Sequence, residues 1–385
     1  MQKKVKNVLK KLLPLVLLRQ VQLEVNKLRI KTVDRWRFPE QPFQQDDFII
    51  RRHEYPFRIY SVETVHLEPR LRQQFEQDNR NWTQDEYLLI YKQPCIIEPL
   101  YGWALSPENK IIYPSLGFSR APYLPKPAGT VKALRDAPLE EYKELVSLRD
   151  TGEENYYHFY NDVLAKLFFL DEKVGLSPVV PLLISRRLYD RPYFQYFLAH
   201  PYLRNRQWVV QDKQYIRSHR TYFCKPLTHT PQYYRRILEM VRPEDRVGNS
   251  RCDRQLFITR SPKRLRFIEN NTEIASICLK MDFEVLDFDE LTLSEQIQAM
   301  GQARYVVGIH GAGLVNILFR GGHPLGLLEL YPPATYFPFH YMMLANQLGY
   351  QYDGLIGLPG SQQFSGGFRV DLVELRQRLV VLLQQ

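Results

Sequence analysis

Two groups of residues in this sequence have the types and spacing to do chemistry. The first is Gly308-Ile309-His310-Gly311-Ala312-Gly313-Leu314. It follows the apolar run Tyr305-Val306-Val307 and leads into Val315-Asn316-Ile317-Leu318-Phe319. A strand entering a glycine-rich turn that opens a helix presents backbone N–H groups and a positive helix end to an anion. Gly311 and Gly313 let the backbone come close to a ligand. His310 falls at the carboxyl edge of the strand, where open α/β sheets bind ligands. The second group is His158 and Asp162, four residues apart in a segment of helical apolar spacing, so one helix face carries both.

Three further features surround these groups. Thr259-Arg260-Ser261-Pro262-Lys263 begins at the end of an earlier strand of the same half. Ends of parallel strands share one rim, so Arg260 and Lys263 are within reach of an anion held by the 311–314 turn, Arg260 as a bidentate partner. Glu329 closes the strand Leu327-Leu328-Glu329-Leu330, where a carboxylate can accept from ribose hydroxyls. Asp287-Phe288-Asp289 has the spacing of a metal-binding pair, but it runs into Thr292-Leu293-Ser294-Glu295, a capping-box pattern that accounts for the cluster. The glycine turn is not GxGxxG and not GxxxxGK[ST], which excludes the dinucleotide fingerprint and the P-loop.

The elements that must position these residues read as α/β. Short strand-like runs begin at Phe48-Ile49-Ile50, continue at Phe57–Val62, Tyr87–Tyr91, Cys95–Ile97 and Ile111–Tyr113, and form a β-rich lead-in. The spacing predicts helices over Leu139–Val146 and from Glu154 to Leu167. Strands at Val179–Ile184 and Trp208–Val210 then alternate with helices at Tyr193–Ala199 and Gln232–Val241. Beyond Arg242–Asn249 the alternation is clearer. Strands are expected at 256–259, 283–286, 305–309 and 325–330. Helices are expected at 272–280, 294–300, 314–319, 340–348 and 372–383. Alternating strands and helices predict parallel sheets covered by helices, Rossmann-like in the second half. The chain divides into a basic helix and linker (1–45), an N-terminal domain (46–245) and a C-terminal domain (246–385).

The length of 385 residues suits two domains, and the formal charge of +10 favours anionic partners. Much of that charge is local: Lys3, Lys4, Lys6, Lys10, Lys11 and Arg19 precede or flank Leu12–Leu18, with no acid among the first twenty residues. The apolar run is far short of the roughly 20 residues a spanning helix needs, and no small-residue cleavage site follows it. It reads as a basic amphipathic helix lying on an anionic membrane. Cys95, Cys224, Cys252 and Cys278 are scattered without CxxC spacing. They read as reduced thiols of a cytoplasmic protein rather than as zinc ligands or disulfides.

Set together, these residues resemble the family 61 glycosyltransferases. The resemblance rests on Gly308-Ile309-His310-Gly311-Ala312-Gly313-Leu314 with Asn316 and Phe319, then Leu328-Glu329. Asn155-Tyr156-Tyr157-His158-Phe159 with Asp162, and Arg260 with Arg266, Asn270 and Glu273, occur upstream in the same order. It spans roughly 154–351. The chain departs from the pattern at Phe159, at Leu164-Ala165-Lys166-Leu167 and at Asn271. The resemblance implies a GT-B architecture, with two Rossmann-like domains facing a cleft. It implies an inverting hexosyl- or pentosyltransferase that uses a nucleotide-sugar, usually a UDP-sugar, as co-substrate and needs no metal or other cofactor. Donor-binding residues would be Arg260, Lys263, His310, Gly311, Ala312, Gly313, Leu314, Asn316 and Glu329. Asp162, and after it His158, would be the catalytic base on the acceptor side. A basic N-terminal helix suits work on a glycan or lipid-linked, capsule-type acceptor at the inner face of the membrane. Two other readings compete: a non-catalytic sugar- or nucleotide-binding scaffold of the same fold, and a basic nucleic-acid-binding protein. No basic–aromatic nucleic-acid module is present, and a nucleic-acid partner is not expected.

Overall fold

The computed structural model describes residues 48–54, 68–81, 83–108, 110–116, 139–247, 253–263, 266–361 and 366–384. The N-terminal basic segment, the linker and the strand expected at 57–62 lie outside them. The chain forms two compact units. The first contains residues 48–54 and 83–228; the second contains residues 68–81 and the chain from His229 onward.

The first unit is built on a six-stranded sheet. Its strands are β1 (Phe48–Glu54), β2 (Thr83–Tyr91), β3 (Leu145–Ser147), β4 (Leu182–Ser185), β5 (Trp208–Gln211) and β6 (Thr221–Lys225), in the spatial order β1-β2-β6-β3-β4-β5. The β6-β3-β4-β5 portion is parallel, and β2 and β1 extend it antiparallel. Every residue of β3 and β4 is buried. That is the pattern of parallel strands covered on both faces, and it yields continuous apolar runs rather than alternation. A second sheet of four strands contains Cys95–Ile97, Ala104–Leu105, Leu139–Tyr142 and Tyr215–Ser218.

Several expected elements change here. The segment Leu139–Val146 is not a helix but two strands, Leu139–Tyr142 and β3. Its apolar residues fit a helical period, but parallel pairing with Tyr215–Ser218 and with β4 and β6 decides its state. Ile111 makes one isolated bridge to Leu105 and Tyr113–Leu116 forms a 3-10 turn, in place of a strand. The strands Tyr215–Ser218 and β6 had no counterpart in the sequence reading. A helical stretch starts at Tyr156, as the periodicity predicts, with Asn155 capping the Tyr157 N–H. It runs through a π-helical segment, Phe159–Leu164, into α1 (Ala165–Val174) and ends at Gly175 in the left-handed conformation.

The second unit carries five parallel strands: β7 (Arg254–Thr259), β8 (Glu284–Asp287), β9 (Ala303–Ile309), β10 (Gly326–Tyr331) and β11 (Gln351–Ile356). Their spatial order is β8-β7-β9-β10-β11. Helices α2 (Asn271–Leu279), α3 (Leu293–Gln302), α4 (His340–Leu348) and α5 (Leu372–Leu383) alternate with the strands or follow them. Phe257, Val307, Leu328 and Leu330 pack against Ile274 and Ile277 of α2 and Leu375 and Leu379 of α5, all nearly or fully buried. Each such side chain contributes about 1.5–3 kcal/mol relative to exposure. The mixed α/β class and the doubly wound second half agree with the sequence. Asp287 and Asp289 act as local turn chemistry: the Asp289 N–H donates to the Asp287 carboxylate, and Thr292 and Glu295 close the capping box.

Cys95, Cys224 and Cys278 are buried free thiols, pushed up to about 12 by desolvation. Among the described residues, no helix is long and apolar enough to cross a membrane.

Candidate active site

The strand order of the second unit creates a site. From β7 the chain goes outward to β8, then crosses back to β9 on the other side of β7. Such a reversal opens a crevice at the carboxyl ends of β7 and β9, the place where open α/β sheets take their ligands. Ile258 of β7 pairs with Gly308 of β9, so Arg260 and the His310–Gly311 turn leave the sheet side by side.

Arg260 lies directly on Gly311. A β-carbon at Gly311 would overlap the guanidinium Nη2 and stand 3.0 Å from Cζ and 3.1 Å from Nη1. Glycine serves here to let the guanidinium come this close; its backbone (φ 170) is extended and open to any residue. Around Gly313 a β-carbon would meet nothing within 4 Å, so the turn is open on that side.

The turn enters a 3-10 helix, Ala312–Arg320, rather than the α-helix expected from Leu314. The Leu314 N–H already donates to the Gly311 carbonyl at 3.0 Å. Gly311 has no side chain to cap the helix. Among the described residues, the N–H groups of Gly311, Ala312 and Gly313 have no protein acceptor. Three successive N–H donors are thus uncommitted, the first of them beside a guanidinium, one residue short of the set expected from the sequence.

His310 is held from behind. Its Nδ1 bonds Glu329 Oε1 at 2.5 Å, and its ring stacks on Tyr331 (5.1 Å, 20°) with Tyr341 at its edge (5.6 Å, 66°). Glu329 has 0% exposure; its other oxygen accepts from Tyr331 Oη at 2.9 Å and Tyr352 Oη at 2.6 Å. Neither oxygen faces solvent, so its geometry is that of a brace for His310 rather than an acceptor for ribose hydroxyls. With Nδ1 committed, Nε2 is the ring nitrogen left for a ligand. Burial first, and then the Glu329 charge, raise the Tyr341 phenol above its usual range. Arg266 and Arg260 oppose that rise, so both guanidinium charges act on this one ring.

Two other expected donor residues sit elsewhere. Asn316 is fully buried, and its amide donates to Gln296 of α3 at 3.0 Å, which fixes the 3-10 helix to α3. Lys263 is exposed on the turn after Arg260, and among the described residues no hydrogen bond or ion pair ties its ammonium to the 311–314 turn. The sequence reading of the site missed Tyr341 and Tyr352, and took Tyr331 only as the start of a stretch, 331–336, that shapes a sugar pocket. Its bond to Glu329 was findable, since a strand residue two beyond Glu329 shares its face. Tyr352 was not findable. It pairs with Leu327, and so reaches Glu329 diagonally, only in the observed β10–β11 register.

The first unit holds the second group. His158 Nδ1 bonds Asp162 Oδ2 at 2.5 Å, and Asp162 is buried within the π-helical segment. Such segments often mark functional positions in helices. Burial raises the Asp162 carboxyl above its ordinary range, against the pull of His158 and Lys166, while Asp150 adds to the rise. Lys166, one turn on, donates to Asp150 Oδ2 and to the Arg149 carbonyl, both at 3.0 Å.

The family model described as Glycosyltransferase 61 matches residues 156–328. The chain carries a family 61 glycosyltransferase domain. The glycosyltransferase match begins two residues before His158 and ends one residue before Glu329, so it takes in Asp162, Arg260 and the whole 308–314 turn. It also runs across both units, from the first through to β10 of the second. No curated protein matches this glycosyltransferase.

Proposed function

We propose that this glycosyltransferase moves a sugar from a nucleoside diphosphate donor, a UDP-sugar, to a hydroxyl of a glycan or lipid-linked acceptor, with inversion at the anomeric carbon. The single observation that carries the reading is the Arg260 guanidinium lying on Gly311 at the β7–β9 switch point, beside three uncommitted N–H groups. That arrangement fits a diphosphate and its growing charge. In the reaction, the acceptor oxygen attacks the anomeric carbon and gives its proton to a base. The bond from that carbon to the diphosphate oxygen breaks, and the electron pair leaves with the diphosphate. Arg260, the N–H groups of 311–313 and His310 Nε2 would meet that charge. Charge-assisted hydrogen bonds are worth about 1.5–3 kcal/mol each, and those that strengthen as the bond breaks accelerate the step.

Glu329 in this reading is a positioning residue that fixes the His310 ring. Asp162, with His158 bonded to it, is the base on the acceptor side. Its raised carboxyl is better matched to proton abstraction near neutral pH than an ordinary aspartate. The two units would then be the donor and acceptor domains of a GT-B enzyme. We read residues 1–20 as docking on anionic lipid at the cytoplasmic face; their deletion should abolish retention on anionic liposomes, and unchanged retention refutes that part.

A thermal-shift screen against UDP, GDP, CMP and dTDP tests the reading. A nucleotide at 100 times its Kd stabilises the fold by about 2.7 kcal/mol, a rise of several degrees expected with UDP. A chain that none of the four stabilises overturns the donor site.

A further inference from the structure

A cavity of about 600 Å³ lies in the first unit, apart from the residues assigned so far. It sits on the carboxyl rim of the parallel strands. Arg149 and Asp150 follow β3, Arg186 and Arg187 follow β4, and Asp212 and Lys213 follow β5, and all of them line it. The rest of the wall comes mainly from Pro99–Tyr101 and Thr151–Glu154. The cavity has the size of a small-ligand site and opens at the carboxyl ends of three neighbouring parallel strands, beside the β6–β3 switch point.

We propose that this cavity binds an uncharged saccharide, and that the saccharide is the acceptor end of the glycan. Three observations lead there. The first is charge balance: Arg149, Arg186, Arg187 and Lys213 are matched in number by acidic side chains on the same wall. A site for a phosphate or a uronate would carry an excess of guanidinium and ammonium groups. A dense mixture of fixed donors and acceptors suits a ligand made of hydroxyls, each of which both donates and accepts. The second is the apolar side of the wall, Leu100, Tyr101 and Tyr215, which offers faces to the C–H surface of a sugar ring.

The third is an uncommitted acceptor. Asp150 is 5% exposed and lines the cavity; its Oδ2 takes Lys166, but Oδ1 has no hydrogen-bond partner. A buried carboxylate oxygen without a donor costs about 1–3 kcal/mol or more; Oδ1 is itself closed off behind the cavity wall, and a sugar hydroxyl meets it where the wall shifts to uncover it. The floor around it is rigid. The Arg149 guanidinium is shared among Glu153 (2.9 Å), the Gln211 side-chain oxygen and the Pro99 carbonyl (3.2 Å). Asp150 bonds Lys166, which lies one helical turn from Asp162, so one side chain stands between the cavity floor and the proposed base. Most of the wall lies outside the matched residues 156–328, as expected where acceptor choice is particular to this chain.

The role of acceptor rests on the transferase reading; the binding of a saccharide rests on the cavity alone. Saturation-transfer NMR on the full chain, with and without UDP, tests it. The probes are methyl glycosides of hexoses, N-acetylhexosamines and hexuronic acids. A neutral glycoside should give a signal. That signal should fall at least tenfold in Leu100→Trp, which fills the mouth from an exposed position (49%), while stabilisation by UDP stays as in the wild type. Asp150→Asn should weaken the signal as well; if it does not fold, Leu100→Trp decides. No signal from any glycoside, a signal indifferent to Leu100→Trp, or preference for the uronates overturns the inference. If UDP stabilises the chain but no glycoside binds, the cavity proposal falls and the donor site stands. If a glycoside binds as described and no nucleotide does, the cavity stands and the donor site falls.

Discussion

Gly311→Ala separates folding from ligand binding more cleanly than any other change in the site. The glycine backbone is extended (φ 170), so alanine fits it without strain. The added methyl would collide with the far end of one flexible side chain, Arg260. Arg260 can swing away at small cost to the fold. Restriction of the unfolded chain by alanine contributes about 0.4–1 kcal/mol in the opposite direction, so Tm should stay within a few degrees of wild type. What is lost is the guanidinium above the turn. A charge-assisted contact of about 1.5–3 kcal/mol corresponds to a roughly ten- to hundredfold rise in the Kd for UDP, read by titration calorimetry. Arg260→Ala should do the same. The two changes remove one interaction, so the double variant should match either single one, with a coupling energy of the same 1.5–3 kcal/mol. UDP affinity in Gly311→Ala within twofold of wild type would refute the reasoning. So would effects that simply add.

Three further expectations follow from other parts of the molecule. Glu329→Gln puts an amide where the buried carboxylate accepts from His310, Tyr331 and Tyr352; it should cost about 1–3 kcal/mol of stability in urea titration and weaken UDP binding alongside His310→Ala. Unchanged stability and affinity would remove the bracing role. Asp162→Asn should lower transfer by about 10²–10⁴-fold in an assay of UDP release while leaving UDP affinity intact; loss of UDP affinity would take Asp162 off the acceptor side. His229 is buried with φ 57 and its imidazole is pushed down to about 3 by desolvation, with a smaller contribution from His340. The unfolded chain takes this proton near pH 6.5 and the folded chain resists it. The stability contribution is therefore intact above pH 6.5 and erodes as pH falls toward 3, by about 2 kcal/mol at pH 5. His229→Asn, which tolerates the left-handed backbone, should lose that much less stability than wild type between pH 7 and pH 5. Parallel pH profiles for the two proteins would contradict it.

The sequence was most legible where local signals and tertiary pairing agree. His340–Leu348 and Leu372–Leu383 have the predicted bounds, and the Thr292–Glu295 capping box is present as read. It was least legible where pairing overrides period, as at Leu139–Val146. The helical spacing there is real, but two sheets recruit the segment. In the site, type and spacing pointed to Arg260, His310 and the glycine turn. They could not reveal which way a carboxylate faces. Glu329 was read as a ribose acceptor because it stands near a strand end, but its oxygens are consumed by His310, Tyr331 and Tyr352. Asn316 turns inward to Gln296 for the same reason: helix phase relative to α3 is a tertiary fact. The cavity on β3, β4 and β5 had no local signature, because its wall gathers residues from Pro99 to Tyr215.

The central claim is that the turn at 311–313 with Arg260 seats the diphosphate of a sugar nucleotide. A crystal structure of the full chain with UDP tests it most directly. The account predicts the diphosphate at the carboxyl ends of β7 and β9, bonded to the N–H groups of Gly311, Ala312 and Gly313 and to the Arg260 guanidinium. A UDP bound elsewhere, with Arg260 still lying on Gly311 and those N–H groups unengaged, would contradict it.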